Sequence, residues 1–169
     1  MKSHKQQFSD ALDGEIERSL RVLRAYPDDQ SGFRPHAKSR TAREVAWPMA
    51  LGLDRLILGA LTQGSRFGAG GNPPSAPPGP PEMVSAVAAA VEAAHAKIAA
   101  RLRDMDDAAL DVTVQFFVAP RTMGDVPMTD FLWSILFDHI HHRGQLSVYL
   151  KIVGDVPSIY GPSASQPWR

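Results

Sequence analysis

The chain has 169 residues, 44% of them hydrophobic, which suits one domain (1–169) with a proper core and speaks against wholesale disorder. Eighteen Lys and Arg balance eighteen Asp and Glu, so the formal net charge is zero, unlike the basic surplus of a nucleic-acid binder or a polybasic membrane-surface protein. Cysteine is absent, which excludes a disulfide scaffold, a thiolate zinc site and a cysteine nucleophile. No uninterrupted run reaches the ~18–20 apolar residues of a bilayer span, and the stretch MKSHKQQFSDALDGEIERSL has no apolar signal core. The expectation is a cytoplasmic protein with neither nucleic acid nor membrane as partner.

Phe8, Leu12, Ile16, Leu20, Leu23 and Tyr26 recur at steps of three and four, which predicts an amphipathic helix over 4–26 ended by Pro27. Residues 27–40, PDDQSGFRPHAKSR, read as a loop. Thr41 and Glu44 then form a capping-box pattern ahead of Val45, Met49, Leu53, Leu56, Ile57 and Ala60, predicting a second helix over about 42–63. Pro48 lies inside that helix, where it removes a backbone hydrogen bond and is expected to kink it. The glycine- and proline-rich stretch 64–81 reads as a long crossover connector. A third helix, to about 104, carries Val84, Val87, Val91, His95, Ile98 and Leu102 on one face. Residues 111–118, DVTVQFFV, look strand-like but have no evident partner, so an extended loop is expected there. The fourth helix runs from about 127 to 153 and stops at Gly154. Four long helices without a sheet predict an all-α four-helix bundle with its long crossover between helices 2 and 3.

The fourth helix carries the chemistry. At about 100° per residue, Phe131, Ile135, Asp138, His142, Leu146, Tyr149 and Val153 fall in one stripe that should face the core. Asp138 and His142 are four apart, so both side chains could hold one ion, or each other. A carboxylate buried there needs a partner, and a divalent metal or the His142 imidazole would serve. His139 and His141 read as flank residues, and Arg143 as a solvated or salt-bridged surface group. Trp133, Phe137, Ile140, Gly144 and Val148 make the opposite face apolar too, which predicts a homodimer through that face unless the connector or the tail covers it.

The string DHIHHRGQLSVYLKIVGDVPSIYGPSA, over residues 138–164, resembles the end of the DinB family within the DinB/YfiT-like metalloenzyme superfamily. REVAWPMA more weakly resembles the family's start of helix 2. The resemblance implies a commonly dimeric four-helix bundle that binds a divalent metal (zinc, nickel or manganese). One ligand would come from a helix 2 histidine and two from helix 4 positions matching Asp138 and His142. At the helix 2 position this chain has Pro48, which cannot ligate, so the implied site is incomplete unless another residue substitutes. His95 is the best candidate for that role and His36 a more distant one, and the alternative for His95 is a satisfied core histidine. The resemblance further implies transferase- or hydrolase-like chemistry on an unidentified small molecule, with a small-molecule thiol or a water activated by the metal. Tyr149 and His139 would be the nearest groups for proton transfer. The competing reading is a bundle that has lost its metal and serves as a binding or structural protein. Within the tail, Tyr160 is expected to anchor packing over one bundle end.

Overall fold

The computed structural model describes residues 2–70 and 77–159, so the expectation for Tyr160 lies outside the described residues. Helix α1 (His4–Ala25) starts at Ser3, whose hydroxyl accepts from the Gln6 N–H at 3.2 Å, and stops just before Pro27. Helix α2 (Ala42–Leu51) opens on the expected capping box. The Glu44 carboxylate accepts from the Thr41 N–H at 2.7 Å and the Thr41 hydroxyl from the Glu44 N–H at 3.4 Å. Those bonds to Thr41 hold the Glu44 carboxyl below its ordinary pKa.

A π turn over Gly52–Ile57 joins α2 to α3 (Leu58–Gln63) as one rod without loss of helical backbone. Its signature is the Leu58 N–H donating to the Leu53 carbonyl, five residues back. In a regular α-helix residues four apart drift by about 40° per step, so a strict four-residue series would leave the core within two or three turns. The wider π turn absorbs that drift and keeps Met49, Leu53, Ile57 and Leu61 all buried. The sequence irregularity at Pro48 is thus followed by a π turn in a helix that continues on the same core face. The stretch Ala42–Arg66 is also long and apolar enough, by length and composition, to cross a membrane. That amends the expectation that no segment is: here its buried side packs against α4 and α5.

Helix α4 (Val84–Asp104) has no side-chain cap of its own. Its first N–H groups are satisfied from the loop after α1, Val84 by the Ser31 hydroxyl and Ser85 by the Asp28 carboxylate, each at 3.0 Å. Helix α5 (Met128–Val153) is the longest. Both α1 and α2 pack on α4 and on α5, and buried residues from all of these helices share one apolar core.

Residues 111–118 are not an extended loop. Strand β1 (Thr113–Ala119) pairs antiparallel with β2 (Thr122–Pro127) across a tight turn at Pro120-Arg121, and Arg121 takes a left-handed φ of 61°. The partner strand TMGDVP holds glycine, aspartate and proline, residues poor in strand propensity, which is why the hairpin is hard to read from the sequence. The connector adds to it: the Gln115 N–H donates to the Phe67 carbonyl at 3.2 Å. Gly68, at φ 74°, lies so close that a Cβ there would sit 2.2 Å from the Gln115 carbonyl oxygen, so only glycine fits. The fold is therefore mostly helical, with four helical rods and a small two-stranded sheet.

Candidate metal centre on the last helix

The seam of α5 differs from the expected stripe. Met128, Leu132, Ile135, His139, His142, Leu146 and Leu150 lie along its buried centre, with Phe131, Leu136 and Arg143 beside them. These steps average about 3.7 residues, the same period as the expected stripe and close to that of an ordinary α-helix, but the line is turned by about half a position from a wheel drawn through Asp138. Asp138 is consequently exposed, with its side chain 57% accessible, whereas His139 and Arg143, expected on the flank and surface, are buried. Phe131, Ile135, His142 and Leu146 are buried as expected, and Tyr149 and Val153 are half-buried.

Asp138 and His142 do meet. Asp138 Oδ2 lies 3.5 Å from His142 Nε2, with the imidazole buried behind an exposed carboxylate. Gln145 is the third member of the group: its amide nitrogen sits 2.9 Å from His141 Nε2, and its carbonyl oxygen 3.2 Å from His142 Nδ1. Since a carbonyl oxygen only accepts, His142 carries its proton on Nδ1 and turns the Nε2 lone pair toward Asp138. Burial lowers the His142 pKa most, aided by Arg40 and His141, against the raising effects of Asp138 and Gln145, with a net lowering. The ring thus favours the neutral imidazole near pH 7, with Nε2 as the nitrogen beside the carboxylate. Two ligand atoms at about 2.0–2.2 Å from a tetrahedral metal are about 3.4 Å apart, so the 3.5 Å separation is compatible with two ligands of one ion as well as with a plain Asp–His contact. The distal N–H of a ligating histidine usually donates to a carboxylate, a backbone carbonyl or a water, and here the Gln145 side-chain carbonyl stands in that position.

Below this pair runs a buried polar chain that ties three helices together. His139 Nδ1 lies 3.3 Å from the Met49 carbonyl and must donate to it, so Nε2, 2.8 Å from Ser19 Oγ, accepts from the hydroxyl. Arg143 Nη1 reaches Ser19 Oγ at 3.5 Å, the Glu15 carboxylate at 2.5 Å and the Glu15 carbonyl at 3.2 Å. Burial drives the His139 pKa down to about 4, with Arg143 and His142 adding to the effect, against the raising effects of the Met49 bond and Glu15. His139 is therefore a neutral core residue with both nitrogens engaged, and it is not placed to shuttle protons. A signal for this chain existed in the sequence: Ser19 and Glu15, four apart on the inner side of α1, are polar groups opposite the RGQ segment of α5.

The remaining candidates lie elsewhere. His95 on α4 pairs with Asp13 on α1 at 2.6 Å, and it does not join Asp138 and His142. His36 Nδ1 accepts from the Lys38 N–H within its own loop at 3.1 Å. Tyr149 donates to the Arg40 carbonyl at 3.0 Å and stacks edge-on with Phe33, and its neighbour Tyr26 is raised to about 12 chiefly by burial. Among the described residues no three His, Cys, Asp or Glu side chains converge to hold a metal. A catalytic zinc site ordinarily uses three protein ligands. Asp138 and His142 would therefore make up two of the three protein ligands of such a site.

The chain belongs to the DinB superfamily, whose sequence profile matches residues 11–146. It is similar to the crystal structure of a DinB-like protein from Bacillus cereus ATCC 10987, at a TM-score of 0.70 and 21% identity, covering 90% of this chain and 95% of that one. It is also similar to a DinB-like protein from Bacillus subtilis, at a TM-score of 0.66 and 15% identity, covering 90% and 97%. At these identities the likeness is one of fold. No curated protein matches the chain.

Proposed function

We propose that this protein is a cytoplasmic four-helix bundle, with its crossover between the second and third rods, that binds a divalent metal through a two-donor half-site on α5. Asp138 and His142 are the ligands, and the open positions are filled by water or by a small-molecule substrate. The observation that carries the reading is the 3.5 Å approach of His142 Nε2 to the Asp138 carboxylate, with the other ring nitrogen beside the Gln145 carbonyl oxygen. A cation draws these two atoms together, either a metal ion held by both or a proton on Nε2. A bound zinc, nickel or manganese ion would supply Lewis acidity and a lowered pKa for a coordinated water or substrate thiol, the basis of transferase- or hydrolase-like chemistry. The contribution of the chain is positional: Gln145 sets the His142 tautomer, and the buried His139–Arg143 chain fixes the turn of α5 that carries both ligands.

A second reading, a metal-free binding or structural bundle, is favoured by Pro48 and by the engagement of His95 with Asp13. Elemental mass spectrometry on protein purified without chelator separates the two, beside a His142→Ala variant. The expected result is substoichiometric zinc, nickel or manganese that falls to background in the variant while its far-UV spectrum is unchanged. Metal content indifferent to His142→Ala would leave the metal-free bundle.

The same helix offers a surface for a second copy of this chain, centred on Trp133, Phe137 and Ile140. Trp133 is braced by an edge-on contact with Phe8, but Phe137, Val148 and Ile152 are 62%, 59% and 56% exposed, and the space beside Gly144 is open. An apolar row of this length along one helix is the surface a homodimer would bury. Val148→Glu is expected to convert a dimer into a monomer in analytical ultracentrifugation with no loss of helicity. A wild-type chain that sediments as a monomer at tens of micromolar would refute the interface.

A further inference from the structure

The Asp138–His142 side of α5 continues through Gln145 to Tyr149, about two turns and about 10 Å beyond His142 along the helix. There the loop ahead of α2 is fastened to it. The Tyr149 hydroxyl donates to the Arg40 carbonyl at 3.0 Å, and the Phe33 and Tyr149 rings meet edge-on with centroids 6.2 Å apart. Between these two fastenings the loop is tied to itself, by the Ser39 N–H to the His36 carbonyl at 2.9 Å and the Lys38 N–H to His36 Nδ1 at 3.1 Å. The main chain at Arg40 is thereby fixed beside α5, and the Arg40 side chain takes no part in fixing it.

Residues 33–40 contain Arg34, Lys38 and Arg40 and no Asp or Glu. Glu44 is bonded to Thr41, with Arg34 and Arg43 beside it, and Asp138 is beside His142. Arg40 is exposed and enters none of the ion pairs among the described residues. Its positive charge is nonetheless felt at His142, where it helps to disfavour a proton on the ring. A guanidinium offers a planar fork of donors matched to a carboxylate, and no acid among the described residues fills this one. We propose that Arg40 binds the carboxylate of a small organic acid, which lies along α5 with its other end at Asp138 and His142. The inference rests on that pair as the metal half-site and names the class of its substrate, but the Arg40 contact itself needs no metal.

The probe is benzoate, titrated at pH 7 and constant ionic strength into the metal-free ¹⁵N-labelled full chain while the backbone amides of Ser39, Arg40 and Thr41 are followed. A saturable shift is expected, and Arg40→Gln should weaken binding at least about tenfold. Arg40→Lys, which keeps the charge without the fork, should fall between them. Both variants should keep the wild-type Tm, because the Tyr149 bond goes to the Arg40 carbonyl. Benzylammonium should not reproduce the shift. With one equivalent of zinc, whose own binding is followed by isothermal titration, benzoate should bind several-fold more tightly. Benzoate binding that depends on Arg40 in a chain that takes up no zinc bears out the carboxylate site and removes the metal reading. In a chain that binds zinc through His142, the metal reading stands, and a benzoate shift that does not saturate, that survives Arg40→Gln, or that zinc leaves unchanged overturns the proposal.

Discussion

Replacing Pro48 with histidine should raise the affinity for zinc or manganese by at least about a hundredfold, the upper end of what even an outer-shell partner contributes to a metal site. The reason is positional. The Met49 carbonyl accepts from His139 on α5, so the α2 backbone at 48–49 abuts the turn of α5 that carries Asp138 and His142. Position 48 is where the family resemblance implies a histidine ligand, and the proposed metal site lacks that donor. The substitution also restores an N–H inside α2 and removes a ring that crowds the preceding turn, so stability should rise with affinity. Isothermal titration of Pro48→His, His142→Ala and the double variant gives the answer. The gain should appear in the first and vanish in the double. A Pro48→His chain that melts higher yet binds metal no better would mean that position 48 does not face the pair, and the half-site would lose its relation to a three-ligand ancestor.

How far the sequence leads can be judged from α5. Helix order, the Thr41 capping box and the alternation of rods and connectors are local signals, and each appears where the pattern puts it. The hairpin does not, because β2 has little propensity of its own and is held by pairing with β1 and by the docking of the Phe67–Gly68 backbone. The pairing of Asp138 with His142 is legible because a spacing of four on a helix fixes it whatever the rotation of that helix. Which of them is buried is not legible, since burial depends on the phase of α5 against its neighbours. That phase is set by the tertiary partners of His139 and Arg143, namely Ser19 and Glu15 on α1. A wheel that counts only apolar residues cannot see this, because two of the buried side chains on the helix are polar and answer polar groups 120 and 128 residues away.

That buried chain should dominate stability. Arg143→Ala is expected to cost about 3 kcal/mol, the lower end of the range for breaking a buried ion pair. The lower end applies because Glu15 is partly exposed and keeps Arg18 at 2.5 Å as a second partner. Pairing Arg143→Met with Glu15→Leu should recover most of the loss, since no buried charge is then left unmatched and Arg18, which also pairs with Glu15, is 37% exposed to water. The same chain predicts an acid response. His139 titrates at about 4 in the folded protein against 6.5 when unfolded, so between these values the unfolded state binds more protons and stability falls as the pH falls. The loss begins below pH 6.5 and amounts to about 3 kcal/mol by pH 4, beyond which His139 adds nothing more. His142, also lowered, acts in the same direction. Urea melts at pH 7, 5.5 and 4.5 should show the slope. His139→Gln, which keeps a donor and an acceptor but does not titrate, should be weaker at pH 7 and flatter across the window. Equal slopes for the two proteins would place the acid sensitivity elsewhere and would mean that His139 is not held neutral by the Met49 carbonyl and Ser19.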